Sequence, residues 1–317
     1  MALRWGYLGA GGIANLMAAD FGHAGLRIQA VSTRDMARTN AFADRFNIAN
    51  RHPDYTSLVA DAEVDVIYIS SVQTLHHEHA LLAIEAGKHV LLEKPFTMNA
   101  ADARKIHAAA KRKNVFVMEA MWTRFLPSMT AVFAVINAGE IGAPHFVYAD
   151  HSQYLPLERV PRLWNREQGG GAHYDLGIYS IHMAIRTLGA PDSVSGKSIM
   201  TNTGVDSATA AVLQYNNGSL ALVNSCMTMA GTCNAVIHGT KGRIEIDGRF
   251  FEQTTFAIYD NQNKLVRRYE EKVEGRGMQY QAIHVEECVN KGLTESPIMS
   301  LAETVKIMGV MELILVF

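Results

Sequence analysis

The chain has 317 residues, 48% of them hydrophobic and 19% charged, enough to bury sizeable cores and to fill about two domains of ordinary size. A formal net charge of -2 with no block of lysine and arginine gives no electrostatic footprint for nucleic acid or an anionic membrane surface, so small molecules are the expected partners. Cys226, Cys233 and Cys288 show neither zinc-ligand spacing nor a CxxC pair, as expected of free, mostly buried thiols in the reducing cytoplasm.

Along the chain, residues 4 to about 120 alternate short apolar or β-branched runs with helical stretches, the pattern of βαβ units and a parallel sheet. Strands are predicted at 5–8, 28–32, 64–70, 89–92 and 115–119, with helices such as 78–86, closed by Gly87, and 100–113 between them. After about 121 the character changes. Helices are predicted at 121–139 and at 169–188, the second opening in a glycine cluster. Residues 193–272 alternate in steps of two around Asn216-Asn217-Gly218, Gly239-Thr240-Lys241-Gly242, Asp247-Gly248 and Asp260-Asn261-Gln262-Asn263, which predicts the hairpins of an antiparallel sheet. Helices return at 278–291 and 300–315. The apolar end, 305–317, contains Lys306 and Glu312 and falls short of the roughly 20 residues of a spanning helix, so a packed terminal helix is predicted. Residues 1–4 lead straight into a strand with no signal-peptide pattern, and export is not expected.

Gly9-Ala10-Gly11-Gly12-Ile13-Ala14 matches G-x-G-x-x-A between a predicted strand and an alanine-rich helix, the context that gives this motif meaning. Gly9 allows a tight turn and Gly11 lets the backbone approach a pyrophosphate. Ala14 lets helix and strand pack closely, and the free N–H groups of the helix start offer an anion site. Specificity for the ribose 2′ position is read after the second strand, where NAD binders carry Asp or Glu. Ser32-Thr33-Arg34-Asp35 has a serine there instead. Arg34 can stack on adenine and pair with a 2′-phosphate, and Arg38 follows one helical turn on, so NADP is expected, with NAD the weaker alternative through Asp35.

Glu93-Lys94-Pro95 follows the fourth predicted strand and so presents a lysine at the carboxyl edge of the sheet, where such folds bind ligands. A buried lysine beside a cofactor can donate to a substrate hydroxyl or carbonyl, and desolvation lowers its pKa towards the working range. Asp175 and Tyr179, four apart in a predicted helix, share one face. His76, His77 and His79 have no carboxylate or cysteine in ligand spacing, so the cluster reads as solvated helix-start histidines and no metal is expected.

Four segments in order, GAGGIA, LHHEHALLAIEAGKHVLLEKP, MEAMWTRFLP and GGGAHYDLGIYSIH, resemble the family of glucose-fructose oxidoreductase and inositol dehydrogenase (Gfo/Idh/MocA). Within that family they are most similar to the branch of dimeric dihydrodiol dehydrogenase and NADP-dependent xylose dehydrogenase. The resemblance spans nearly the whole chain. It implies an α/β fold with an N-terminal doubly wound Rossmann domain, residues 1–120, that binds the dinucleotide. A C-terminal α/β domain, residues 121–317, would bind substrate and form a homodimer through an open, mainly antiparallel sheet. The resemblance further implies that Lys94 is catalytic, with Tyr179 as proton carrier activated by Lys94 and Asp175 orienting the lysine or the substrate. Ser70, Ser71, Val72, Gln73, His76 and Glu93 would line the cofactor together with Lys94, although relatives usually have Pro-Asn where this chain has Val72-Gln73. Trp122, Arg124 and Phe125 would wall the substrate. The implied reaction is hydride transfer between NADP(H) and a ring CH–OH group of a sugar, cyclic polyol or trans-dihydrodiol. A non-catalytic cofactor-sensing regulator on the same fold is the alternative, and it has no need of Lys94, Asp175 and Tyr179 together.

Overall fold

The computed structural model describes residues 2–315. The chain divides into two compact units: the first runs to Trp122 and includes Glu274–Val305, and the second comprises Thr123–Val273 and the described residues from Lys306 onward.

In the first unit β1 (Arg4–Leu8), β2 (Arg27–Ser32), β3 (Asn50–His52), β4 (Val66–Ile69), β5 (His89–Glu93) and β6 (Val117–Ala120) form a parallel sheet in the order β3-β2-β1-β4-β5-β6. Helices α1 (Gly12–Ala24), α2 (Met36–Phe46), α3 (Tyr55–Ala60), α4 (His76–Glu85) and α5 (Ala100–Lys113) connect them. β4 and β6 are buried at every position, which is what continuous apolar runs such as VIYI produce when helices cover both faces. The caps follow local chemistry. Asn99 accepts a hydrogen bond from Asp102 N at 2.8 Å to open α5, and Asn114 closes it in the left-handed region at φ 53° behind Lys111, Arg112 and Lys113. An N-cap of this kind contributes about 1 kcal/mol. β3 has only three residues, Asn-Arg-His, with no apolar run, and the sequence does not announce it.

The second unit contains α6 (Pro127–Asn137), β7 (Pro144–Ser152), α7 (Ile178–Leu188), β8 (Ser193–Met200), β9 (Asp206–Gln214), β10 (Leu220–Cys226), β11 (Ala235–Gly239), β12 (Gly242–Ile246), β13 (Phe256–Asp260) and β14 (Leu265–Tyr269). Its sheet runs β14-β13-β12-β11-β7-β10-β9-β8. Every neighbouring pair is antiparallel except β7 with β10, so the sheet is mixed but mainly antiparallel. α7 packs against β7 and β10.

Three expectations change. The stretch 121–139 is not one helix: a 3-10 turn at Trp122–Phe125 precedes α6, because Pro127 lacks the N–H an interior helical position needs and sits at the helix start instead. The helix expected from 169 begins only after the glycines, since Gly169 at φ 74° and Gly171 at φ 119° are incompatible with right-handed helix. The sheet also reaches further back than 193, because β7 is its central strand and its sequence PHFVYADHS alternates too weakly to stand out.

Helix α8 (Gln279–Asn290) and the first turn of α9 (Leu301–Leu315) lie in the returning segment Glu274–Val305 of the first unit. Buried Asp20 on α1 draws this segment in by accepting from Arg276 N at 3.1 Å and Met278 N at 2.8 Å, and Glu286 accepts from Trp5 Nε1 at 3.0 Å. The expected boundary at residue 120 puts all of 121–317 in one domain, whereas Glu274–Val305 clusters with the first unit. Val316 and Phe317, the end of the predicted terminal helix, lie outside the described residues. Among the described residues no helix is long and apolar enough to cross a membrane.

Candidate functional site

Strand order in the first unit reverses between β1 and β4, and in such sheets the crevice beyond the carboxyl ends at that point receives the ligand. The fingerprint turn leaves β1 at this crevice. Gly9 N donates to Ser32 O at 2.9 Å and Ser70 N to Leu8 O at 3.0 Å, so the turn and the end of β4 are pinned side by side. Gly9 has φ +104°, a backbone conformation that strains any residue with a side chain, and a Cβ there would lie close against Ser70, 3.0 Å from Oγ and 3.2 Å from O. Gly11 opens α1 with no side-chain cap, and Cβ atoms on Gly11 or Gly12 would meet nothing within 4 Å. An uncapped helix start facing open space fits a pyrophosphate. Ala14 is fully buried. Ile13 lies beside it in the first turn of α1 and Ala10 in the turn itself, where Asn15 Nδ2 donates to Gly11 O at 2.9 Å.

At the end of β2, Ser32 is fully buried and Thr33 nearly so, with Thr33 N donating to Thr39 Oγ1 at 3.0 Å. The carboxylate of Asp35 accepts from Ala37 N at 2.8 Å as the N-cap of α2. Arg34 and Arg38 are exposed and make no ion pair among the described residues. Their charges act on Tyr55, whose phenol burial pushes up and both arginines pull back down. Tyr55 meets His79 edge to face, centroids 4.8 Å apart, and His79 Nδ1 lies 2.9 Å from Ser71 Oγ. Burial, aided by the Arg34 charge, holds His79 below its ordinary pKa. Tyr55 and His79 are therefore part of this rim, which sequence reasoning missed because no local pattern relates either to Arg34. His76 and His79 are also buried, at 1% and 6% exposure, and not solvated as expected, because α4 turns both rings toward the loop at 71–73 and the turn after β5.

Past β4, Ser70 and Gln73 are buried and Ser71 and Val72 half-buried. The turn after β5 is clamped from several sides. Tyr68 Oη donates to Glu93 Oε1 at 2.6 Å, Lys94 N donates to Glu93 Oε2 at 3.2 Å, and Phe96 N donates to Glu119 Oε1 at 3.1 Å. The Lys94–Pro95 peptide bond is cis. Glu93 is buried, so its carboxylate holds the turn from inside, and Lys94 is half-buried. Trp122 is buried, with the Arg276 guanidinium 5.6 Å from its ring centre.

His76 Nδ1 lies 2.9 Å from Pro95 O and Nε2 lies 3.1 Å from Ser71 O. Two carbonyls favour the charged ring, but burial outweighs them and pulls His76 down to about 4. In the second unit burial likewise pulls His173 to about 4, against a hydrogen bond to Met311 O. Each folded ring binds fewer protons than its unfolded counterpart between pH 4 and 6.5, so stability is full above the unfolded pKa and is lost as pH falls towards the folded one. The loss is on the order of 3 kcal/mol per ring. His173→Gln, which keeps a donor towards Met311 O but cannot titrate, should flatten the decline of Tm over that range. An unchanged slope would assign the acid sensitivity elsewhere.

In the second unit Asp175 and Tyr179 lie at the entry to α7. Residues His173–Gly177 form a π turn that runs into α7, a widened geometry common at functional sites. Buried Asp206 fixes its start by accepting from His173 N at 2.9 Å. Asp175 is half-buried and pairs with Arg162 at 2.9 Å, a partner the sequence reading did not find. Tyr179 is 7% exposed and packs on Phe251, centroids 5.5 Å apart, and on His151 at 5.1 Å. Phe125 is buried, and buried Arg124 donates from Nε to His182 Nδ1 at 3.2 Å, so part of its guanidinium serves the interior of α7.

A parallel sheet in this order, with a glycine turn and an uncapped helix at its switch point, defines a dinucleotide-binding α/β protein. The chain belongs to the Gfo/Idh/MocA family: the model of the oxidoreductase family, NAD-binding Rossmann fold, matches residues 3–121, and that of the Gfo/Idh/MocA C-terminal domain matches residues 129–245. It is thus an oxidoreductase with an NAD(P)-binding Rossmann fold. The trans-1,2-dihydrobenzene-1,2-diol dehydrogenase of Xenopus tropicalis is 33% identical over 98% of this chain and 97% of its own length. The mouse (Mus musculus) enzyme of that name is 35% identical over 98% and 96%. Among solved structures, aldose-aldose oxidoreductase from Caulobacter crescentus, complexed with glycerol, superposes with TM-score 0.89 over 99% of this chain and 97% of its own, at 22% identity, a likeness of fold.

Proposed function

We propose that the protein is an NADP(H)-dependent dehydrogenase that transfers a hydride between the nicotinamide and a ring CH–OH group of a sugar, cyclic polyol or trans-dihydrodiol. The observation that carries the cofactor preference is the end of β2: Ser32 stands where an acid would bind a ribose 2′-hydroxyl, Asp35 is engaged as a helix cap, and Arg34 and Arg38 are left exposed. The dihydrodiol arm of the substrate class rests on the names of the relatives at about one-third identity. When bound, the dinucleotide supplies the hydride chemistry. Gly9 to Ala14 would hold its pyrophosphate, Ser32 to Arg34 and Arg38 its adenosine end, and Ser70 to Gln73, His76, Glu93 and Lys94 its nicotinamide side, Glu93 and His76 by holding the turn that carries Lys94. Tyr179 would carry the proton of the reacting hydroxyl, with Lys94 lowering the cost of its ionisation and Asp175 orienting. Trp122, Arg124 and Phe125 remain the proposed substrate walls. Fluorescence titration with NADPH and NADH tests the cofactor reading: tighter NADPH binding supports it, and equal affinity contradicts it. A sensor on this fold would bind NADPH without turnover, so a turnover assay separates the two.

The buried free thiols of Cys226, Cys233 and Cys288 fit our placement of the enzyme in the cytoplasm. We propose a homodimer formed through the open face of the second sheet. Ser195, Val212, Leu222 and Tyr148 make a row across β8, β9, β10 and β7, and Leu220 and Leu222 are 38% and 39% exposed. Light scattering at micromolar concentration should give twice the chain mass, and Leu222→Arg should give a monomer with unchanged NADPH affinity. A wild-type monomer would overturn the assembly.

A further inference from the structure

Next to Tyr179 lies a buried histidine that the proposed chemistry does not use. His151, near the end of β7, is 1% exposed. Its Nδ1 is 3.1 Å from Leu176 O, and a carbonyl only accepts, so the proton resides on Nδ1. Its Nε2 is 2.7 Å from Gln153 Nε2, an amide nitrogen that only donates, so Nε2 presents its lone pair. One neutral tautomer satisfies both contacts. With its orientation fixed, the ring stacks on Phe251, centroids 3.9 Å apart at 17° between planes, and meets Tyr179 at 5.1 Å and 64°. Phe251 is itself tied down, its carbonyl accepting from Thr123 Oγ1 at 2.6 Å.

Leu176 lies one residue after Asp175 and three before Tyr179, within the π turn. His151 therefore holds the backbone between the two proposed site residues and, through its ring, the phenol side chain of one of them. The hydrogen bond sets the height of the turn, and the stack with Phe251 sets the ring plane. We infer that His151 is a positioning residue for Tyr179: it fixes the phenol by a donor to Leu176 O and an aromatic contact, with Gln153 selecting its tautomer. The inference rests on the reading of Tyr179 as proton carrier. A misplacement of about 1 Å at a reacting group costs up to about a hundredfold in rate, so loss of one of two restraints should cost about tenfold.

The test is a double-mutant cycle on the full-length protein, with kcat for NADP⁺ reduction measured on whichever of D-xylose, myo-inositol and trans-1,2-dihydrobenzene-1,2-diol is oxidised fastest. His151→Phe keeps the stack and removes the donor. It should lower kcat about tenfold in the wild-type background, leave NADPH Kd unchanged, and change kcat less than about twofold in the Tyr179→Phe background. A merely structural role would lower activity by the same factor in both backgrounds, and that result overturns the inference, as does a wild-type kcat for His151→Phe. Tyr179→Phe with wild-type kcat would instead remove the tyrosine from the mechanism, and the inference with it, a failure distinguishable because it appears without any change at His151. Should His151→Phe not fold, His151→Asn, which keeps a donor for Leu176 O but removes the ring beside Tyr179, goes through the same cycle and is read the same way.

Discussion

Lys94→Ala and Tyr179→Phe should each lower kcat by roughly 10² or more, the scale of positioned acid–base catalysis. If the two side chains act on one transferred proton, removing either already disables the relay, so the double variant should be little worse than the poorer single one. Multiplication of the two losses would mean that the residues work independently. NADPH Kd should change more for Lys94→Ala than for Tyr179→Phe, because the turn carrying Lys94 adjoins the loop at 71–73 through the His76 contacts with Pro95 O and Ser71 O. A Tyr179→Phe enzyme with wild-type kcat would leave Lys94, with Asp175, as the acid–base group.

Arg34→Ala should weaken NADPH far more than NADH. The arginine is exposed and makes no ion pair among the described residues, so its removal breaks no internal bridge. What is lost is a charge-assisted pair to the 2′-phosphate, worth roughly 1.5–3 kcal/mol, which is about 10- to 150-fold in Kd for NADPH. NADH, with a hydroxyl at that position, should lose little. Equal losses for both cofactors would show that Arg34 serves the adenine or the fold and does not read the phosphate.

The first unit was legible because its signals are local. A glycine turn between an apolar strand and a helix, and strands apolar on both faces, can be read within short windows, as with β1, α1 and β5. Elements without a local signature escape such windows. β3 lacks an apolar run, and β7 is recognisable as a strand only through its partners β10 and β11. The return of Glu274–Val305 to the first unit depends on Asp20, some 256 residues earlier than Arg276. The candidate site divides in the same way. Lys94 stands on a strand edge that the sequence predicts, whereas Arg162 beside Asp175, Tyr55 beside His79 and His151 beside Tyr179 are brought together by tertiary structure alone.

The most direct test of the account is turnover: purified protein with NADP⁺ or NAD⁺ against a panel of aldoses, inositols and trans-dihydrodiols, with formation of the reduced nicotinamide followed by absorbance. NADP⁺ should be reduced with at least one cyclic hydroxyl substrate, with a higher kcat/KM than NAD⁺, and that turnover should be lost in Lys94→Ala. Tight NADPH binding with no turnover on any member of the panel, in either direction, would contradict it and favour a cofactor sensor.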